Sequence, residues 1–179
     1  MSEEGLRRRG VPASALKERV SYLTLGLLAT GAGCVLSDPQ LDYDCLDVTI
    51  TGSGPHQRRR PRFDVQIKAS SVGGAVRALA GGNFAISLPR DQYEDLRAPA
   101  FLPIKFVAHI FPPGTEIPQV ITQDDRMVLD GIMLRSDPRE WHPLPSGQES
   151  GTVHLRREDV FDIEYIKSEI KILGDGGGR

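Results

Sequence analysis

In the segment Phe63-Asp64-Val65-Gln66-Ile67-Lys68 apolar and polar residues alternate strictly. That period predicts a strand with Phe63, Val65 and Ile67 on one face and Asp64, Gln66 and Lys68 on the other. Upstream, Leu46, Val48 and Ile50 alternate with Asp47 and Thr49, which predicts a partner strand with its own apolar and polar sides. A hairpin of the two brings a carboxylate, an amide and an ammonium onto one polar face. The turn between them, residues 52–61, holds Gly, Pro and the run Arg58-Arg59-Arg60. It reads as a solvated loop tip or, through those arginines, as a phosphate-contacting loop.

Elsewhere the period changes. Ser14 is placed to cap a helix running to about residue 31, with Leu16, Val20, Leu23 and Leu27 at helical spacing. Glu18, Tyr22 and Leu25 fall on another stripe, so Glu18 reaches the rim of the core without entering it. Cys34-Val35-Leu36 predicts a short strand, and residues 69–82, rich in small side chains, predict irregular chain with at most a short helix. Residues 83–88 read as a strand, 89–96 as one or two helical turns, and 102–111 as a buried strand closed by Pro112-Pro113-Gly114. A connection reaching Asp125 precedes two further strands, 127–135 and 152–156. Between those strands a long loop, 137–151, holds Trp141 as its packing anchor, and residues 163–173 form a helix with Ile163, Ile166, Ile170 and Leu173 on one face.

Composition narrows the function classes. In 179 residues, 39% apolar and 26% charged, there is enough apolar surface for one cored domain, expected over 14–173, with a disordered arm at 1–13 and a flexible tail at 174–179. The net charge of −2 means that any nucleic-acid contact must come from local patches. Cys34 and Cys45 provide neither a disulfide framework nor a zinc site and are expected to be reduced core thiols. The apolar run at 23–32 is too short and glycine-rich to span a bilayer, so a cytoplasmic protein without membrane contact is expected. The four histidines are scattered, and His109, inside an apolar strand, is expected to be a satisfied core residue.

The order of these parts carries a resemblance: a helix with an acid, a strand, a strand opened by an acid, a strand ending Gln66-Ile67-Lys68, then helix and strand. It resembles the PD-(D/E)XK restriction-endonuclease-like nuclease core, and more narrowly a bacterial domain of unknown function placed in that superfamily. The matching segments are Phe63-Asp64-Val65-Gln66-Ile67-Lys68, Tyr93-Glu94-Asp95-Leu96-Arg97-Ala98-Pro99, the strand through residues 104–111, and Asp159-Val160-Phe161. Together they span about residues 15–173. The fold this implies is α/β: a mixed central β-sheet flanked by helices in the order αβββαβ, with a C-terminal strand and helix added.

The resemblance implies a metal-dependent endonuclease acting on DNA, at work in bacterial defence or mobile-element biology. Asp47 would be the main metal ligand, with Asp42 and Asp44 as competitors for that role. Gln66 would replace the usual second acid, as in Mrr-type restriction enzymes, Lys68 would be the catalytic lysine, and Glu18 the helix acid. The Ile67 carbonyl would complete a set of oxygens for Mg²⁺ or Mn²⁺, hard cations that take such ligands. Arg58, Arg59 and Arg60 would contact the nucleic acid. A lone domain of this kind would draw specificity from a homodimer or an operon-encoded partner protein. The competing expectation is a catalytically inactive nuclease-like fold serving as a protein-interaction subunit, in which Asp47 and Lys68 form an ordinary cross-strand ion pair.

Overall fold

The structure, a computed structural model, describes residues 11–37, 46–54 and 60–176. Helix α1 (Ala13–Gly31) leads into strands β1 (Cys34–Ser37), β2 (Val48–Gly52) and β3 (Arg62–Ser71). Then come β4 (Val76–Ala78), β5 (Phe84–Pro89), helix α2 (Arg90–Arg97) and β6 (Ile104–Phe111). The chain closes with β7 (Val120–Gln123), β8 (Arg126–Leu129), β9 (Ile132–Ser136), β10 (Ser150–Leu155) and helix α3 (Ile163–Gly174).

The central sheet is mixed, with strand order β1-β2-β3-β6-β9. Only β3 and β6 run parallel; the other neighbours are antiparallel. A parallel pair needs a long crossover, and the chain from β4 through α2 supplies it. A second antiparallel sheet, β10-β5-β4, covers one face, while β7 and β8 form a separate hairpin.

Alternation along β2 and β3 sorts the two cores. Val48, Ile50, Phe63, Val65 and Ile67 meet Leu25 and Ala29 of α1 and Ile166 and Ile170 of α3. On the opposite face Phe106, Ala108, Ile110 and Leu134 pack on Ile86, Leu88, Val153 and Leu155 of the second sheet and on Tyr93 and Leu96 of α2. Because both faces are covered, every residue of β6 is buried, Lys105 and His109 included. Lys105 is stabilised by carboxylates on two sides, Asp137 at 2.9 Å and Glu169 at 3.0 Å. Burial alone would raise the Asp137 pKa, but hydrogen bonds from Arg139 and Lys105 outweigh it and hold that carboxyl well below its ordinary range.

Several expectations need correction. Helices lie on both faces of the central sheet, α1 and α3 on one and α2 on the other, but the second face is covered mainly by the additional sheet, which the expected core did not include. In α1 the buried residues are Ser21, Leu25 and Ala29, whereas Leu23 and Leu27 are exposed. Leucines lie nearly all round this helix, so their period could not pick the buried side, and small Ser21 and Ala29 permit close approach to the sheet. The helix starts at Ala13 behind Pro12 with no side-chain cap, leaving Ser14 inside it. Leu46 packs with the second core, not beside Val48, because regular β2 pairing begins only at Val48. Residues 69–82 are only partly irregular: β3 runs on to Ser71 and β4 takes Val76–Ala78, while the short helix allowed for is the 3-10 turn Ala80–Gly82. The predicted strand 127–135 is two strands broken at Gly131, whose φ of +147° suits glycine and where a Cβ would stand 2.9 Å from His109 Nε2. Strand β7 lies in the stretch read as a connection. The expected arm over residues 1–10, the acids Asp42 and Asp44, Cys45, Arg58, Arg59 and the tail from 177 lie outside the described residues.

Candidate functional site

Asp47 stands immediately before β2, one residue out of the register in which Val48 lies opposite Val65. Its N–H donates to the Val65 carbonyl at 3.0 Å, and its Oδ2 accepts from the Ile67 N–H at 2.6 Å. The carboxylate thus occupies the place a backbone carbonyl would take further along the strand, which fixes its position by backbone geometry. Gln66 donates through Nε2 to the same Oδ2 at 2.8 Å, with a longer contact of 3.3 Å to the Ile67 carbonyl. It is only 8% exposed, and its Oε1 is buried with no hydrogen-bond partner. An orphaned buried acceptor costs about 1–3 kcal/mol, so this oxygen calls for an explanation.

The N-terminal half of α1 roofs the site. A cavity of about 410 Å³ is lined by Ala15, Glu18, Arg19 and Tyr22 of the helix and by Asp47 and Ile67 below. Two hydrogen bonds pin this part of α1 to the sheet. Lys17 Nζ donates to Ser71 Oγ at 2.7 Å, and Ser21 Oγ lies 2.8 Å from His109 Nδ1. The Ser21 hydroxyl proton goes to the Lys17 carbonyl at 2.7 Å, so His109 Nδ1 carries the proton it shares with Ser21. Burial lowers the His109 pKa to about 4 and keeps the ring neutral near pH 7. Wholly buried, with its proton already donated, Ser21 is no nucleophile.

The sequence-predicted residues divide accordingly. Asp47, Gln66 and Ile67 are joined by direct hydrogen bonds, and Glu18 shares the cavity with Asp47 and Ile67. Lys68 follows Gln66 on the polar face of β3, half-buried, but it does not line the cavity. Among the described residues, Lys68 and Asp47 form no ion pair. Arg60 is exposed with φ of +55°, at the edge of the described loop. Arg19 and Tyr22 were missed as cavity residues; the signal was their helical spacing with Ala15 and Glu18, which puts all four on one side of α1. The Arg19 guanidinium sits 5.7 Å from the Tyr22 ring centre.

The Tyr93–Arg97 part of the distinctive motif lies away from this cavity and anchors the loop before β10. Tyr93 OH donates to the His142 carbonyl at 3.1 Å, and the Leu144 N–H donates to Glu94 Oε1 at 2.9 Å. Arg97 donates to the Trp141 carbonyl at 3.0 Å and pairs with Glu94. That backbone hydrogen bond from Leu144, joined by Arg97, lowers the Glu94 pKa against the opposing effect of desolvation. Trp141 stacks on Tyr93, with ring centres 4.8 Å apart, and meets Phe106 edge-on.

Compared with known proteins, the sequence matches no family model and no curated protein. Among the described residues no helix is long and apolar enough to cross a membrane, and no group of three or more His, Cys, Asp or Glu side chains is arranged to hold a metal ion.

Proposed function

We propose that this protein is a metal-dependent nuclease that hydrolyses DNA phosphodiester bonds, built on a restriction-endonuclease-like core. The observation that carries the reading is the convergence of Asp47 Oδ2, the Gln66 amide and the Ile67 carbonyl at one point of the sheet, roofed by Glu18. The order of elements supports it: helix, three antiparallel strands, then a crossover through α2 to a strand parallel to the third.

The donor set fits a hard divalent cation. Gln66 Nε2 is within reach of both Asp47 Oδ2 and the Ile67 carbonyl, so turning the amide over brings the orphaned Oε1 toward the same two oxygens. Asp47, Gln66 through Oε1 and the Ile67 carbonyl would then be the groups to hold such an ion, with Glu18, which lines the same cavity, as the second carboxylate. Mg²⁺ or Mn²⁺ held there would polarise a phosphoryl oxygen and acidify a bound water. Asp47 holds its carboxylate in place through the Ile67 N–H, and Glu18 can orient a water from the helix side. Arg19 offers a guanidinium to phosphate within the cavity, while Lys68 offers an ammonium from the adjacent strand face.

The test is incubation of supercoiled plasmid with and without Mn²⁺, comparing the native protein with Asp47→Ala and Lys68→Ala. Cleavage should require the metal and vanish in Asp47→Ala with the fold retained; metal-independent cutting, or full activity in Asp47→Ala, would end the proposal. One observation favours a non-catalytic interaction subunit instead: as it stands, Gln66 gives Asp47 a hydrogen-bond donor, which satisfies the carboxylate without any cation. Thermal shift separates the two readings. An ion at about 100 times its Kd for the folded protein adds about 2.7 kcal/mol of stability. No shift with either ion, with or without DNA, would support the interaction subunit.

A further inference from the structure

The β7–β8 hairpin stands apart from both cores. All its residues are exposed except half-buried Leu129, and none belongs to either hydrophobic cluster. Its composition is nonetheless that of a covered strand pair. Ile121 and Val128 sit opposite each other on one side, and Val120, Leu129 and Met127 share the other, with Met127 80% exposed. A two-stranded ribbon left alone in water is marginally stable. Asp124 and Asp125, at φ of +48° and +60°, form the tight turn and place two carboxylates at the tip. Those charges argue against a phosphate backbone as what the hairpin meets.

Among the described residues, strand β8 has β7 along one edge and no strand along the other. The Asp130 N–H donates to the Gln119 carbonyl at 3.4 Å, so antiparallel alternation turns the backbone groups of Arg126, Val128 and Asp130 toward β7. Met127 and Leu129 therefore turn theirs outward. An edge without Pro, Lys or a bulge is a template for another strand.

We propose that the open edge of β8 pairs antiparallel with β8 of a second copy of this chain, about a two-fold axis through Val128. In that register Met127 and Leu129 of one copy exchange hydrogen bonds with Leu129 and Met127 of the other. Val128 faces its twin at the close, non-hydrogen-bonded position. Arg126 stands opposite Asp130 at both ends, which gives two symmetric ion pairs. Moving the axis to Met127 or to Leu129 also uses outward-facing groups, but then Val128 stands opposite Arg126 or opposite Asp130, and both ion pairs are lost. Charge complementarity thus selects the axis at Val128. The product is a four-stranded sheet, β7-β8-β8-β7, of the small interface class, so association depends on concentration.

Sedimentation velocity of the full chain over a concentration series tests this. The native protein should pass from monomer to dimer, Arg126→Asp should weaken the dimer about tenfold or more by opposing like charges, and adding Asp130→Arg to that variant should restore it. Rescue by the swapped pair separates a lost contact from a lost fold. In a background with Cys34→Ala and Cys45→Ser, Val128→Cys should cross-link under mild oxidation far faster than Ile121→Cys. A native protein that stays monomeric at its highest soluble concentration, a dimer indifferent to Arg126→Asp, or equal cross-linking of the two cysteine variants would each overturn the proposal.

Discussion

His109 gives the fold a pH dependence whose size follows from its burial. The side chain is 2% exposed, and desolvation lowers its pKa from 6.5 to about 4. In the unfolded chain the ring regains the ordinary value. Above pH 6.5 it is neutral in both states and contributes no slope. As pH falls from 6.5 toward 4, the unfolded chain takes up a proton that the folded protein refuses, and stability is lost. Below the folded pKa both states are protonated and the loss stops growing. At about 1.36 kcal/mol per pKa unit, the displacement caps the effect near 3 kcal/mol, and between pH 7.5 and 4.5 it amounts to about 2.5 kcal/mol.

The perturbation is His109→Gln, which keeps a polar group beside Ser21 but cannot titrate. Urea denaturation of both proteins at pH 7.5, 6.5, 5.5 and 4.5 gives two stability profiles, and their difference isolates His109 from all other titrating groups. The native protein should lose about 2.5 kcal/mol more than the variant across that range, most of it below pH 6. Parallel profiles would refute the reasoning, because they would mean that the ring is solvated or already protonated in the folded state. Since Ser21 and His109 hold the α1 segment that carries Glu18, the same range should see the cavity roof loosen.

Replacing Lys105 by Met leaves Asp137 and Glu169 buried without the cation between them, and should cost about 3–5 kcal/mol in urea denaturation. A cost below 1 kcal/mol would show that Arg139 alone neutralises the pair. Gly151→Ala would place a methyl inside the Tyr93 ring, which is fixed by its stack on Trp141, and should cost about 1–3 kcal/mol or more. Adding Tyr93→Leu should return part of that loss; if it does not, the clash lies elsewhere.

What could be read from the sequence depended on whether a local period had one cause. In β3, Phe63, Val65 and Ile67 face the helices while Gln66 and Lys68 alternate onto the opposite strand face, so strict alternation reported a real division of environments. α1 offered leucines on almost every side, and its orientation was decided by Ser21 reaching His109, 88 residues away, a pairing no window on the helix contains. Strand β7 and its pairing with β8 escaped for the opposite reason: the hairpin's apolar residues serve neither core, so its pattern had no folded context within one chain. For the candidate site, Asp47, Gln66 and Ile67 were legible because one hairpin brings them together and hairpin register is a local matter. Glu18 needed the helix to cross the sheet at one particular place, and Arg19 comes to the cavity by the same crossing. For Lys68, spacing from Gln66 fixes the polar face of the strand but not how far along that face the cavity extends. The neighbours of a strand residue are legible from period and register, whereas the boundary of a cavity is drawn by whichever distant element lies across it.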